Sequence, residues 1–147
     1  MQQYQIVIIR PQGYVHSEAF SEIAETLVYA LRKMSKTVTL DENNLNKNAV
    51  NIILGANLIK EEDVPNIPPN AIIYNFEQLT KSSSWMTSGF IKILKSFEVW
   101  DYSKNNIEYL KINSINKNPK FVPLGYVEEL SRIEKRNDQD IDVLFYG

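Results

Sequence analysis

Short apolar runs alternate with amphipathic stretches along this chain. An uninterrupted apolar run, such as residues 6–9, is typical of a strand buried on both faces of a parallel sheet. Apolar residues at helical spacing, as in residues 20–34, indicate helices that cover such a sheet. The pattern predicts strands at residues 4–10, 37–40, 50–55, 71–75, 98–100, 120–123 and 140–147.

Helical stretches separate several of these strands. The first places Phe20 and the apolar residues that follow on one face, with Ser17 as its predicted N-cap. A second helix is predicted over residues 85–96, and a third follows Ser103, which is suited to cap it. Residues 57–70 contain three prolines, so we predict mostly irregular chain there.

This alternation predicts an α/β fold, a Rossmann-like three-layer sandwich with a mostly parallel sheet. The length of 147 residues suits one domain, which we place at residues 1–139, with a charged boundary near residues 134–140. Residues 140–147 resemble a strand that opens into a glycine turn, and such a strand normally feeds a crossover helix. We therefore expect this chain to be the first half of a longer molecule.

Composition excludes several kinds of chemistry. The chain has no cysteine, which rules out disulfides, thiolate metal sites and cysteine nucleophiles. A net charge of -2 gives no electrostatic basis for binding nucleic acid. No spacing of metal ligands, Walker A loop or dinucleotide fingerprint is present, so we expect no metal and no resident cofactor. The apolar run at residues 6–9 is too short for a signal peptide or an integral membrane segment, and we expect a cytoplasmic protein.

The loop after the first strand carries the first candidate site. Ligands of open parallel sheets bind beyond the carboxyl ends of the strands, where Gly13, Tyr14 and His16 are predicted to lie. His16, the only histidine, is a candidate general base, and Gly13 and Tyr14 are candidate substrate contacts. The alternative is a surface or capping histidine.

A second polar cluster follows the strand at residues 71–75. Asn75 and Gln78 offer hydrogen-bond donors and acceptors to a polyhydroxylated ligand. Glu77 is a candidate base, or a carboxylate that orients His16. Alternatively, these side chains form hydrogen bonds within the loop.

Two further strand ends add candidate ligand contacts. After residues 98–100, Asp101 is suited to bind hydroxyl groups and Tyr102 to stack on a flat ligand, whereas Trp100 is expected in the core. After residues 120–123, Gly125 permits a close backbone approach and Tyr126 is suited to line a cleft, although a plain turn is the alternative there. The location of all these clusters at one sheet edge is a stronger indication than any single residue.

Four segments of the second half resemble bacterial group-1-like glycosyltransferases of the GT-B fold. They are residues 73–79 (IYNFEQL), 99–103 (VWDYS), 121–126 (FVPLGY) and 141–147 (IDVLFYG). The resemblance covers roughly residues 71–147. It rests on the order and spacing of these segments.

The resemblance implies a cleft between two Rossmann-like domains, of which this chain supplies the acceptor side. A missing C-terminal domain would bind the nucleotide-sugar donor, and residues 140–147 would be its first strand. It also implies sugar transfer to a hydroxyl of a glycan or another acceptor without a metal. A base at the start of the first helix would assist, with His16 as the first candidate and Glu77 as the second.

Two other functions remain open at this point. One is a non-catalytic Rossmann-like binding or scaffolding module. The other is a partner-binding domain that associates with itself or another chain through the exposed C-terminal strand, because unpaired strand edges invite such pairing.

Overall fold

The structure is a computed structural model that describes residues 2–133 and residue 138. In this part of the chain, six strands form one sheet in the order β2-β1-β3-β4-β5-β6, and every neighbouring pair is parallel. The α/β class and the parallel sheet predicted from the sequence are therefore confirmed. The strands are β1 (Gln3–Ile8), β2 (Thr37–Glu42), β3 (Val50–Leu54), β4 (Ile72–Asn75), β5 (Glu98–Asp101) and β6 (Lys120–Phe121).

The described part of the chain also contains three α-helices and four short 3-10 turns. The helices are α1 (Ser21–Lys33), α2 (Ser88–Ser96) and α3 (Lys104–Ile112). Ser103 caps α3 as predicted, and Thr87 caps α2 by accepting a hydrogen bond from the amide of Phe90 at 3.2 Å. The 3-10 turns are Val15–Phe20, Ala56–Leu58, Glu61–Asn66 and Glu128–Leu130.

Alternate residues of each central strand face two separate hydrophobic cores. Helix α1 packs Ala24 and Val28 on one face of the sheet. Helices α2 and α3 pack on the opposite face, where Ile93 and Leu110 are fully buried. Strand β3 is buried along its whole length, which explains why all its residues except Asn51 are apolar.

The strand order reverses direction between β1 and β3, which is the switch point of the sheet. The two cores show this because the connections on either side of that point pack on opposite faces. The connection after β1 crosses the face covered by α1, whereas the connections after β3, β4 and β5 pack on the other face. The loops after β1 and β3 therefore diverge, and a crevice opens between them. Open parallel sheets bind ligands at such a switch point.

The connection from β2 to β3 contains no helix. Asn51, a fully buried residue of β3, fixes this connection by hydrogen bonds to its backbone. The amide of Asn51 donates to the carbonyl oxygens of Asn46 and Ala49 at 2.8 and 3.1 Å, and its oxygen accepts from the amide of Asn46 at 2.9 Å. One side chain thus satisfies backbone groups that a helix would have paired internally.

The prediction that Ser17 caps the first helix is wrong. The 3-10 turn Val15–Phe20 precedes α1, which begins at Ser21 with Phe20 in the N-cap position. Ser17 is buried instead, and its hydroxyl donates to the carbonyl oxygen of Ile9 at 2.9 Å. The hydroxyl ties the loop back to β1, so it is not available to the helix amides.

Three further predictions concern the proline-rich segment, the C-terminal strand and membrane spans. Residues 57–70, predicted as irregular, contain the 3-10 turn Glu61–Asn66 and the end of the turn Ala56–Leu58. The predicted strand at residues 140–147 lies outside the described residues, as does most of the predicted boundary. No helix in the described part of the chain has the length and apolarity needed to cross a bilayer.

Two glycines with nearly equal backbone angles offer a matched test of packing at the switch point. Gly13 has φ of 77° with open space around it, whereas a Cβ on Gly55, at φ 78°, would meet Phe20 at 3.2 Å and the Ile9 carbonyl at 3.3 Å. We predict that Gly13→Ala costs about 1 kcal/mol of unfolding free energy. Gly55→Ala should cost about 2–4 kcal/mol because crowding is added to the backbone strain.

Urea unfolding followed by circular dichroism measures both costs. Equal losses in the two variants would show that the contact of Gly55 with Phe20 and Ile9 does not limit packing there.

Candidate functional site

The crevice at the switch point is a cleft of about 280 Å³. It is bounded by the loop after β1, the turn after β3 and the loop after β4. His16 and Glu77, the two predicted catalytic residues, both line it, although they lie far apart in sequence. The cleft is lined by Tyr14, His16, Ala19, Phe20, Ile23, Leu58, Phe76 and Glu77.

The loop after β1 positions His16. A turn at Gly13, closed by a 3.0 Å hydrogen bond from the amide of Tyr14 to the carbonyl of Pro11, reverses the chain. The buried Ser17 hydroxyl then fixes the following 3-10 turn to β1. Tyr14 and His16 meet edge to face, with ring centroids 5.2 Å apart, and the imidazole remains exposed.

Asn75 positions Glu77 at the end of β4. The Asn75 oxygen accepts from the amide of Glu77 at 3.1 Å, and the Asn75 amide donates to the Glu77 carbonyl at 2.9 Å. This reciprocal pair fixes the backbone of Glu77 and leaves its carboxylate free to line the cleft. Asn57 reaches that carboxylate from the turn after β3 and donates to Oε1 at 3.3 Å.

The half-buried position of Glu77 affects its protonation. Partial burial raises the pKa of Glu77 above its usual value, although the hydrogen bond from Asn57 opposes the shift. A carboxylate with a raised pKa binds a proton more strongly, which makes it a stronger base than an exposed glutamate.

A buried carboxylate joins the ends of β4 and β5. Asp101 is fully buried, and it accepts hydrogen bonds from Asn75 at 2.7 Å, from the Ser103 amide at 2.8 Å and from Asn106 at 3.1 Å. Burial raises the pKa of Asp101, and these three donors oppose that shift. The predicted contacts Asn75 and Asp101 are thus brought together beneath the cleft, where they hold its loops.

Asn106 completes this network from α3, and the sequence did not single it out. Its amide also donates to the Glu77 carbonyl at 2.9 Å, and its oxygen accepts from the Leu79 amide at 3.1 Å. Asn57 was missed as well. An asparagine near a helix start or in a proline-rich loop usually indicates a cap or a turn, so neither position carried a recognisable signal.

The other predicted contacts lie at different places. Gln78 is exposed beside the cleft, and Gly13 forms the turn that leads to it. Tyr102 stacks on Phe76, with ring centroids 5.4 Å apart and planes 13° apart, and so flanks the cleft. Gly125 and Tyr126 line a separate groove beside α1. Direct ligand contact by these residues stays a prediction.

No group of three or more histidine, aspartate or glutamate side chains within residues 2–133 is arranged to hold a metal ion. The lining of the cleft supplies an imidazole, a carboxylate and aromatic rings. These groups can remove a proton from a hydroxyl and hold a ring-shaped ligand.

The Asn106 side chain can be tested against its exposed neighbour. Asn106→Leu leaves the Leu79 amide, the Glu77 carbonyl and the Asp101 carboxylate without this partner. We predict a loss of at least about 2 kcal/mol in unfolding free energy, because each buried unsatisfied group is costly. Asn105→Leu on the same helix should change it by less than about 0.5 kcal/mol. Denaturant titration of both variants makes the comparison, and equal effects would contradict the assigned network.

The raised pKa of Asp101 predicts a pH dependence of stability. The folded protein holds this proton more tightly than the unfolded chain, so ionisation of Asp101 disfavours the folded state. The contribution of Asp101 to stability should fall as pH rises from 3.8 through the raised pKa. Asp101→Asn lacks this ionisation.

Unfolding free energies measured across this pH range should therefore show the wild-type protein losing stability relative to Asp101→Asn as pH rises. A relative gain for the wild type would mean that the three donors outweigh the effect of burial.

Comparison of the chain with protein-family models, with curated proteins and with solved structures found no match. The structure establishes a Rossmann-like α/β fold with a six-stranded, all-parallel sheet. The function is therefore argued from the residues of the cleft.

Proposed function

We propose that this chain is the acceptor-side domain of a glycosyltransferase that uses a nucleotide-sugar donor. The observation that carries the proposal is that His16 and Glu77 line one cleft at the switch point of the sheet. The resemblance of residues 73–79, 99–103, 121–126 and 141–147 to GT-B enzymes supports the same assignment.

The proposed reaction joins an acceptor hydroxyl to the anomeric carbon of the donor sugar. His16 takes the hydroxyl proton as the oxygen attacks, and the bond from the anomeric carbon to the nucleotide phosphate breaks. The nucleotide leaves with the electron pair of that bond. Glu77 is the second candidate base. If His16 is the base, Glu77 stabilises the imidazolium that forms on His16.

The acceptor sits in the cleft in this proposal. Tyr14 and Phe76 supply aromatic surface to a sugar ring, and the hydroxyl to be modified points between His16 and Glu77. The donor would be bound by a second domain facing this edge of the sheet, so we expect negligible transfer by the 147-residue chain alone. We expect a cytoplasmic enzyme that needs no metal.

The test uses the protein produced from the whole gene that contains this sequence. Transfer from a panel of nucleotide sugars to glycan and simple alcohol acceptors is measured by mass spectrometry. We predict that His16→Gln lowers kcat about 10²- to 10⁴-fold, which is the usual contribution of a general base. The exposed neighbour variant Val15→Ala should retain full activity.

The pH profile distinguishes the two candidate bases. If Glu77 is the base, Glu77→Gln should give the larger loss, and wild-type activity should decline as pH falls through its raised pKa. Donor-dependent transfer that survives both substitutions unchanged would falsify the assignment of the base.

A second candidate is a non-catalytic binding module. Asn75 and Asp101 favour this candidate because they point inward and form hydrogen bonds within the protein. The stacked rings of Phe76 and Tyr102 beside the cleft favour it as well. Carbohydrate binding by the chain, with no transfer by the protein from the whole gene, would establish this candidate.

A further inference from the structure

A second concavity lies beside the cleft, between α1 and the chain that follows β6. We name residues 122–133 the strap, because they run from the end of β6 across Tyr74 to α1. The groove beneath the strap has a volume of about 410 Å³, within the range of about 300–1,000 Å³ that small-molecule sites occupy. It is lined by Glu22, Ile23, Thr26, Leu27, Ala30, Tyr74 and residues 122–127 and 130.

Contacts at both ends hold the strap in place. At its start, the Tyr74 hydroxyl donates to the Val122 carbonyl at 2.8 Å. Farther along, Lys33 of α1 pairs with Glu129 at 3.0 Å, and Glu25 of α1 pairs with Arg132. Exposed ion pairs contribute little energy, but Val127 is also buried, so the groove has an apolar anchor.

The lining of the groove indicates what it can bind. The Tyr74 hydroxyl is engaged by Val122, and the Thr26 hydroxyl donates to the Glu22 carbonyl at 2.8 Å. The rest of the floor and walls is mainly aliphatic or aromatic, while Leu124 and Tyr126 remain 56% and 77% exposed on the strap. An apolar group is therefore the occupant that gains most by leaving water here.

The groove adjoins the cleft that holds His16 and Glu77. Ile23 of α1 lines both concavities. On the sheet side, Phe76 of the cleft packs on Tyr74 of the groove, with ring centroids 4.5 Å apart. A molecule with an apolar chain in the groove and its polar head between the two candidate bases would pass over Ile23 and the ring pair of Tyr74 and Phe76.

We propose that the acceptor is amphiphilic: a hydroxylated head group that binds in the cleft and an apolar chain that lies beneath the strap. This inference rests on the proposed function, and it adds the chemical class of the acceptor. The Tyr74 and Thr26 hydroxyls of the groove already donate to backbone carbonyls, whereas the cleft offers His16 and Glu77, so the head group belongs in the cleft.

Octyl β-glucoside, used below its micelle concentration, and methyl β-glucoside are the probes. Binding to the full chain is followed by NMR of methyl-labelled protein. We expect octyl β-glucoside to bind at least about tenfold tighter, since each buried methylene strengthens binding about fourfold. The methyl signals of Leu27 and Val122, which line the groove and not the cleft, should shift with the octyl compound and not with the methyl compound.

Variants locate the binding. Ala30→Trp should fill the groove and abolish the tighter binding that the octyl chain gives. Leu124→Ser should weaken octyl binding, and it should leave folding intact because Leu124 is exposed on the strap. Met34→Trp is the matched control, because Met34 lies past the end of α1, is 65% exposed and does not line the groove. Equal affinity for the two glucosides, or octyl binding that resists Ala30→Trp and Leu124→Ser, overturns the inference.

A chain lacking residues 139–147 tests whether the protein occupies its own groove. Octyl binding that appears only after this deletion would make those residues the occupant and overturn the inference. Transfer assays with the protein from the whole gene separate the two proposals. Transfer to both glucosides with equal KM overturns the amphiphilic acceptor and leaves the transferase standing. No transfer to any acceptor overturns the transferase, and with it the identification of the bound amphiphile as an acceptor.

Discussion

A single buried carboxylate supports the arrangement of the candidate site. Asp101 ends β5, and its three hydrogen-bond donors come from β4, from the residue before α3 and from α3 itself. The same donors from β4 and α3 also hold the backbone of Glu77. Burial of a carboxylate is costly, and it is tolerated here because the strand ends converge on it with amides. The position of Glu77 therefore depends on a group that never reaches the surface.

The fold was predictable where burial alone determines the element. The apolar runs of β1, β3 and β4 predicted strands in a parallel sheet, and α1 and α3 followed from helical periodicity and from the cap at Ser103. Strand order was not predictable, because an apolar run reveals burial and carries no information on which strand lies beside it. The roles of Asn51 and Ser17 were also hidden, since their partners are backbone groups supplied by tertiary structure.

The candidate site was also predictable only in part. Location at the carboxyl edge follows from topology, which is why His16 and Glu77, identified from strand ends, line one cleft. The sequence could not distinguish a polar residue that faces a ligand from one that faces its own loop. Asn75 and Asp101 have the chemistry of ligand contacts and the geometry of a scaffold, whereas Asn57 and Asn106 contribute from positions that resemble ordinary turns and caps.

The position of β1 in the sheet has a consequence for the order of folding. Tyr4 of β1 pairs with Val38 on one side and with Val50 on the other, so β1 is flanked by two strands that are made later. Contacts of such long sequence separation slow folding, because the intervening chain must be ordered before they form. During synthesis, the edge of β1 that faces β3 must remain unpaired until β3 has emerged, although β2 can already pair with the other edge. An edge of β1 that is covered in the finished sheet is thus exposed to aggregation during synthesis.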